Sequence, residues 1–111
     1  MIKYTLMLAY LFIAGRLTGQ TVYSVNGASQ AQVSVFVVKY ESLADLKVYK
    51  VHYASQAGTN DGKWFFTDYA SQAKKKIYFA PYESQADLKI YFVQYANQAG
   101  WRNGSKKHLM Y

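Results

Sequence analysis

The chain has 111 residues, 51% hydrophobic and 17% charged, with one proline, no cysteine and twelve tyrosines. That length suits a single domain, and the apolar fraction excludes a disordered chain. The lack of cysteine excludes disulfides, thiolate metal sites and thiol catalysis together. The formal net charge of +7 is basic without approaching that of a dedicated polycation.

Met1-Ile2-Lys3 forms a short positive start, Tyr4 to Gly15 is a twelve-residue apolar run, and Arg16-Leu17-Thr18-Gly19 is a polar tail ending in a small residue. This is the layout of a secretory signal peptide, and the run is too short for a membrane-spanning helix, which needs about 20 apolar residues. A buried N-terminal strand or helix is the alternative. Cleavage is expected near the Gly19–Gln20 bond, within a few residues because Leu17 is large for the −3 position. The chain then divides into a signal peptide, 1–19, and a domain, 20–111, that is secreted or periplasmic. With no cysteine to acylate, no stable membrane anchor is expected. Lys3 and Arg16 leave with the signal, so eleven basic residues face six acidic ones, a net of +5.

The domain repeats itself. An apolar run, a Tyr and a Ser-Gln-Ala corner recur at Gly27, Tyr40, Tyr53, Tyr69, Tyr82 and Tyr95, with Tyr111 in the next frame. The spacings are 13, 13, 16, 13, 13 and 16 residues, and both long units carry a Gly-bounded loop, Gly58–Gly62 and Gly100–Gly104. The true period is therefore 42: residues 28–69 match residues 70–111 at 20 of 42 positions without a gap. Repetition on this scale marks a stack or winding of equal units.

The apolar runs are rich in β-branched and aromatic residues and read as strands: Val22 to Asn26, Val35 to Tyr40, Val48 to Tyr53, Ile90 to Tyr95 and their equivalents, with Lys107 to Tyr111 closing a set of seven. Side chains alternate along a strand. The face bearing Phe36, Val38 and Tyr40, with Tyr49, Val51 and Tyr53 and their copies, is expected to be the core, so that the recurrent Tyr is a core position. Ser42 and Ser84 stand three residues before Asp45 and Asp87, either as a capping box or as ordinary turn residues. Leu46 and Leu88 are expected to turn back into the core, and the corner Ala to make a tight contact. Parallel neighbours need a connection of a dozen or more residues, and about seven residues separate one strand from the next here. Consecutive strands are therefore antiparallel or apart, and the second 42-residue lap is expected to lie parallel against the first.

The run Tyr82-Glu83-Ser84-Gln85-Ala86-Asp87-Leu88-Lys89-Ile90-Tyr91-Phe92-Val93, its copy at 40–51, and the Lys106–Tyr111 end resemble the septoil-knot family over residues 22–111. Leu43 in place of Gln and Gly27 in place of Tyr are local departures. The resemblance implies a small bacterial protein whose chain is a mostly β, knotted monomer, and it brings no known activity. The expected fold is thus mainly β: a seven-strand repeat domain of two similar laps with short helical or turn corners.

No catalytic, cofactor or metal site is expected. His52 and His108 read as surface residues. Four of the six acids form pairs at the repeat spacing, which does not single out one acid and one base. Asn60-Asp61-Gly62 lacks the other ligands of a calcium loop, and Asn103-Gly104-Ser105 has only the form of a glycosylation sequon. The functional lead is basic: Lys74, Lys75 and Lys76, with Arg102, Lys106 and Lys107. These residues could form a surface for an anionic polymer such as nucleic acid or acidic polysaccharide, or a lysine-protected sheet edge. Exposed Tyr and Trp with amides could instead hold a glycan. The partner is otherwise unknown, an extracellular or periplasmic protein being one candidate.

Overall fold

The computed structural model describes residues 19–111, so the segment read as a signal peptide lies, except for Gly19, outside the described residues. Seven strands follow: β1 Thr21–Ser24, β2 Val33–Val37, β3 Leu46–Lys50, β4 Lys63–Phe66, β5 Lys75–Phe79, β6 Leu88–Phe92 and β7 Gly100–Trp101. Short 3-10 turns separate them: η1 Ala28–Gln30, η2 Glu41–Leu43, η3 Ala54–Gln56, η4 Ala70–Gln72, η5 Glu83–Gln85 and η6 Ala96–Gln98, with a longer η7, Gly104–Met110, at the end.

The strand order is β4-β1-β5-β2-β6-β3, and a further β3–β4 pairing closes it into a six-stranded parallel barrel. Each step of the first lap, β1 to β2 to β3, skips one place around the barrel, and β5 and β6 of the second lap fill the places skipped. The expected parallel pairing of the laps is present: Val33 lies against Ile77, Val35 against Leu88 and Leu46 against Ile90. Against the expectation that consecutive strands are antiparallel or apart, β3 and β4 pair in parallel, the one place where consecutive described strands meet. Residues 51–62 join them, the dozen that a parallel crossover needs, which explains the extra length of that repeat unit. Gly62 turns the loop back at φ +89°, where a Cβ would come within 2.3 Å of the Lys47 carbonyl.

The core face is the opposite of the one the sequence pattern suggested. Strands begin about two residues earlier and end about three earlier than the apolar runs do. Inward positions are therefore Val33 and Val35, Leu46 and Val48, Leu88 and Ile90, not Phe36, Tyr49 and Tyr91. A middle layer of Val22, Val35, Val48, Trp64, Ile77 and Ile90 is wholly buried, each 0% exposed. Five of these six are β-branched, the size a narrow six-stranded barrel packs in layers, and Trp64 is the one large side chain among them. The larger residues Phe36, Tyr49, Tyr78 and Tyr91 point outward, half-buried. Val38 and Ala80 of the expected set are buried, but beyond the strand ends.

The recurrent Tyr is not a core position. Tyr40, Tyr53, Tyr69, Tyr82, Tyr95 and Tyr111 are 63–68% exposed. Five of them follow a strand end by three residues, in extended backbone that leads into a 3-10 turn. Burying so many hydroxyls in a narrow barrel would leave them without partners.

The expected strand at Lys107–Tyr111 is instead η7. The Asn103 carboxamide oxygen caps it, accepting from the Ser105 amide at 3.2 Å. With β3 paired to β4 and to β7, which runs antiparallel at its start, the closed barrel has no edge left for another long strand. The seventh strand is β7, in the second Gly-bounded loop.

Ser42 and Ser84 form no capping box: neither turn has a side-chain cap. The aspartates serve the neighbouring lap, Asp45 accepting from the Lys89 amide at 2.9 Å and Asp87 from the Ser34 amide at 3.0 Å. Leu46 and Leu88 are fully buried, as expected. Of the corner alanines only Ala44 is buried, and the others are half-buried.

Candidate functional site

A parallel barrel has two unlike ends. The strand starts are closed by η7: Met110 is fully buried, and its carbonyl accepts from the side-chain amide of Gln20. Gln20, expected to open the mature chain, is itself wholly buried, its backbone amide donating to the Gly58 carbonyl at 2.7 Å. Gly19 packs so closely on Ala57 that a Cβ there would lie 2.5 Å from the Ala57 carbonyl oxygen.

Both basic clusters lie at this same end. Lys74 precedes β5 and Lys75 and Lys76 open it, while Arg102, Lys106 and Lys107 belong to the closing segment. The structure divides their work. Arg102 donates to the carbonyls of Glu41, Ser42 and Ala44 at 3.2, 2.7 and 3.4 Å. Lys106 pairs with Asp45 at 3.3 Å and donates to the Asp87 carbonyl at 3.1 Å. These two cations fasten the end of the chain to the first lap. Lys76 and Lys107 remain exposed, with Lys75 half-buried. The lysine run does not guard a sheet edge, because β5 is paired on both sides, with β1 and β2.

Asp45 is the centre of this fastening. Burial acts to raise its pKa, but the Lys89 amide, the Asn103 carboxamide and the Lys106 ammonium together outweigh it and hold the carboxyl below its ordinary value. Asn103 is engaged with Asp45 and Ser105. Asp61, in the second turn-like sequence, accepts from the Lys63 amide at 3.2 Å. His52 and His108 are exposed. Among the described residues, no group of three His, Asp or Glu could hold a metal ion, and no helix is long and apolar enough to cross a membrane.

The strand ends differ in chemistry. The last residues of β1–β6 are Ser24, Val37, Lys50, Phe66, Phe79 and Phe92. Phe66 stacks on Phe79 with centroids 6.4 Å apart, and the Lys50 ammonium lies 4.5 Å from the Phe92 ring centre and 5.2 Å from that of Phe66. Phe66, Phe79 and Phe92 recur at 13-residue spacing, so the ring was visible in the sequence, but the frame placed it on the wrong face.

On the outer wall, two grooves occupy equivalent repeat positions. One, of about 340 Å³, is lined by Glu41, Tyr91, Phe92, Val93, Gln94 and Gln98. The other, of about 190 Å³, is lined by Phe36, Val38, Lys39, Tyr40, Leu43 and Glu83. Phe36, Val38, Lys39 and Leu43 correspond to Tyr91, Val93, Gln94 and Gln98 in the repeat, and Glu83 corresponds to Glu41. Turn η2 separates the grooves, giving Glu41 to one and Leu43 to the other. Sequence reasoning missed both, because each joins a strand to the corner of a different lap.

The architecture defines a closed parallel barrel of two interleaved laps, with corners of one repeated sequence. The family model for the 7(1) septoil knot domain matches residues 19–102, and the chain belongs to that family. No curated protein and no solved structure matches the chain.

Proposed function

We propose that this is a secreted, non-enzymatic structural or interaction domain, built to resist unfolding, in which the two laps carry the seven-crossing knot of the family's description. The observation that supports this is the interleaving: each of β4, β5 and β6 lies between two of β1, β2 and β3 around the closed barrel. Neither lap can leave without breaking ladders on both its sides. The chain end is tied in as well, by Met110, Arg102 and Lys106. The test is degradation by a processive unfolding protease engaged through a C-terminal tag. Stalling, or hydrolysis many times slower than for an unknotted β-domain of equal size and stability, is the expected outcome. Degradation at the rate of that control would overturn the reading.

A second reading is a binding module for an anionic polymer. It is favoured by the placement of both basic clusters at one end of the barrel, and weakened by the structural work of Arg102 and Lys106. It expects nucleic acid or acidic polysaccharide to bind at low salt, with affinity falling steeply as salt rises. Replacing Lys75, Lys76 and Lys107 by Glu should abolish that binding. No binding at low salt would end this reading.

A further inference from the structure

We propose that the two grooves flanking η2 form a binding site for a neutral saccharide. This rests on reading the protein as a non-enzymatic interaction domain, but not on its resistance to unfolding.

A pyranose ring presents a flat C–H face and a rim of hydroxyls. It is held by an aromatic platform together with carboxylates and amides that exchange hydrogen bonds with the hydroxyls. The larger groove is mainly polar and supplies the hydrogen-bonding rim from three passages of chain. Tyr91 comes from the outer face of β6, Gln94 and Gln98 from the corner that follows, and Glu41 from η2 of the other lap. Its volume of about 340 Å³ falls within the range of small-molecule sites. The smaller groove, on neighbouring β2, is mainly apolar and supplies the flat face, with Phe36 as platform and Lys39 and Glu83 beside it.

The carboxylates are held in place. Glu41 pairs with Lys47 at 3.3 Å and Glu83 with Lys89 at 3.6 Å. These are the only glutamates in the chain, and the equivalent positions in the other corners, 28, 54, 70 and 96, are all Ala. The two grooves therefore differ from the remaining corners in the one group best suited to accept paired sugar hydroxyls.

Charge selects the class of ligand. Each carboxylate is paired with a lysine and Lys39 also lines the smaller groove, so neither groove gathers the positive charge a polyanion needs, and the basic clusters lie instead at the strand starts. The corner hydroxyls and amides are free to bond outward. Ser42 and Ser84, and the side chains of Gln85, Gln94 and Gln98, are exposed. Two grooves on either side of one turn would let a single oligosaccharide engage both and gain by effective concentration.

The test is migration of the purified domain in native gels containing neutral polysaccharides (dextran, laminarin, mannan or hydroxyethylcellulose) or the acidic alginate, followed by titration with the matching oligosaccharide. Retardation by at least one neutral polysaccharide is expected. Glu41→Gln and Gln94→Ala, both exposed and harmless to the barrel, should each weaken binding about tenfold, the scale of one lost hydrogen bond to a charged or buried partner. Lys75→Glu with Lys76→Glu should leave it unchanged. Retardation by alginate alone, by none of the polymers, or by a neutral polymer but equally in both groove variants, would overturn the proposal. A protein that resists the unfolding protease yet binds no neutral glycan would refute this inference and leave the structural reading standing.

Discussion

Asp45 and Asp87 occupy the same position of the 42-residue repeat, but the structure loads them differently. Each carboxylate accepts a backbone amide of the neighbouring lap, from Lys89 and Ser34 respectively. Asp45 is 5% exposed and also takes the Asn103 amide and the Lys106 ammonium, both at 3.3 Å. Asp87 is exposed, and water can replace it. In Asp45→Ala, the part-buried Lys89 amide loses its carboxylate acceptor, at about 1–3 kcal/mol. The half-exposed ion pair adds about 0.2–1 kcal/mol. A loss of about 2–3 kcal/mol is expected for Asp45→Ala, and under about 1 kcal/mol for Asp87→Ala. The Asp45 carboxyl titrates below its unfolded value, so its contribution is complete above the unfolded pKa of about 3.9. It is lost as pH falls through the lower folded pKa. Denaturant unfolding, equilibrated from both directions, should therefore show the gap between wild type and Asp45→Ala wide at pH 7 and narrowing in acid. Equal losses for the two aspartates, or a gap that does not change with pH, would refute the assignment of Asp45 as the fastening point.

The inverted core gives a second prediction: Ile90→Ala should cost about 2–5 kcal/mol as a fully buried truncation, while Tyr95→Ser should stay within about 0.5 kcal/mol as a surface change. Comparable losses in denaturant titrations would restore Tyr to the core. Gly62→Ala combines φ +89° with a Cβ 2.3 Å from the Lys47 carbonyl. It should destabilise by more than about 1 kcal/mol, and a neutral result in thermal unfolding would mean that the β3–β4 loop is not held as described.

The winding was legible because it is a property of lengths. The 42-residue period required equal laps, and connections of about eight residues barred consecutive strands from pairing in parallel. Only the 51–62 segment was long enough to do so, and that is where β3 and β4 meet. What misled was the boundary of each strand. A run such as Val35 to Tyr40 alternates apolar residues on both of its faces, so the period of two held no information about which face was inside. The choice fell to the bulkier set, and the barrel's radius decides for the smaller one. Half-buried aromatic residues on the outer face, under the crossing corners, made both sets look like core.

The site suffered from a different blindness. Lys74 to Lys76 and Arg102 to Lys107 stood out because they are adjacent in sequence, and their common end of the barrel gives that signal some physical content. Yet the strongest cation contacts there, Arg102 on three carbonyls and Lys106 on Asp45, hold the fold together. Glu41 and Gln94 are 53 residues apart, and nothing in the sequence links them until β2 and β6 are known to be neighbours with η2 crossing between. In a chain whose laps interleave, nearly every surface groove is built from both laps. Residues that act together are then separated by about one repeat, and a search for local motifs meets mainly the residues that tie the ends.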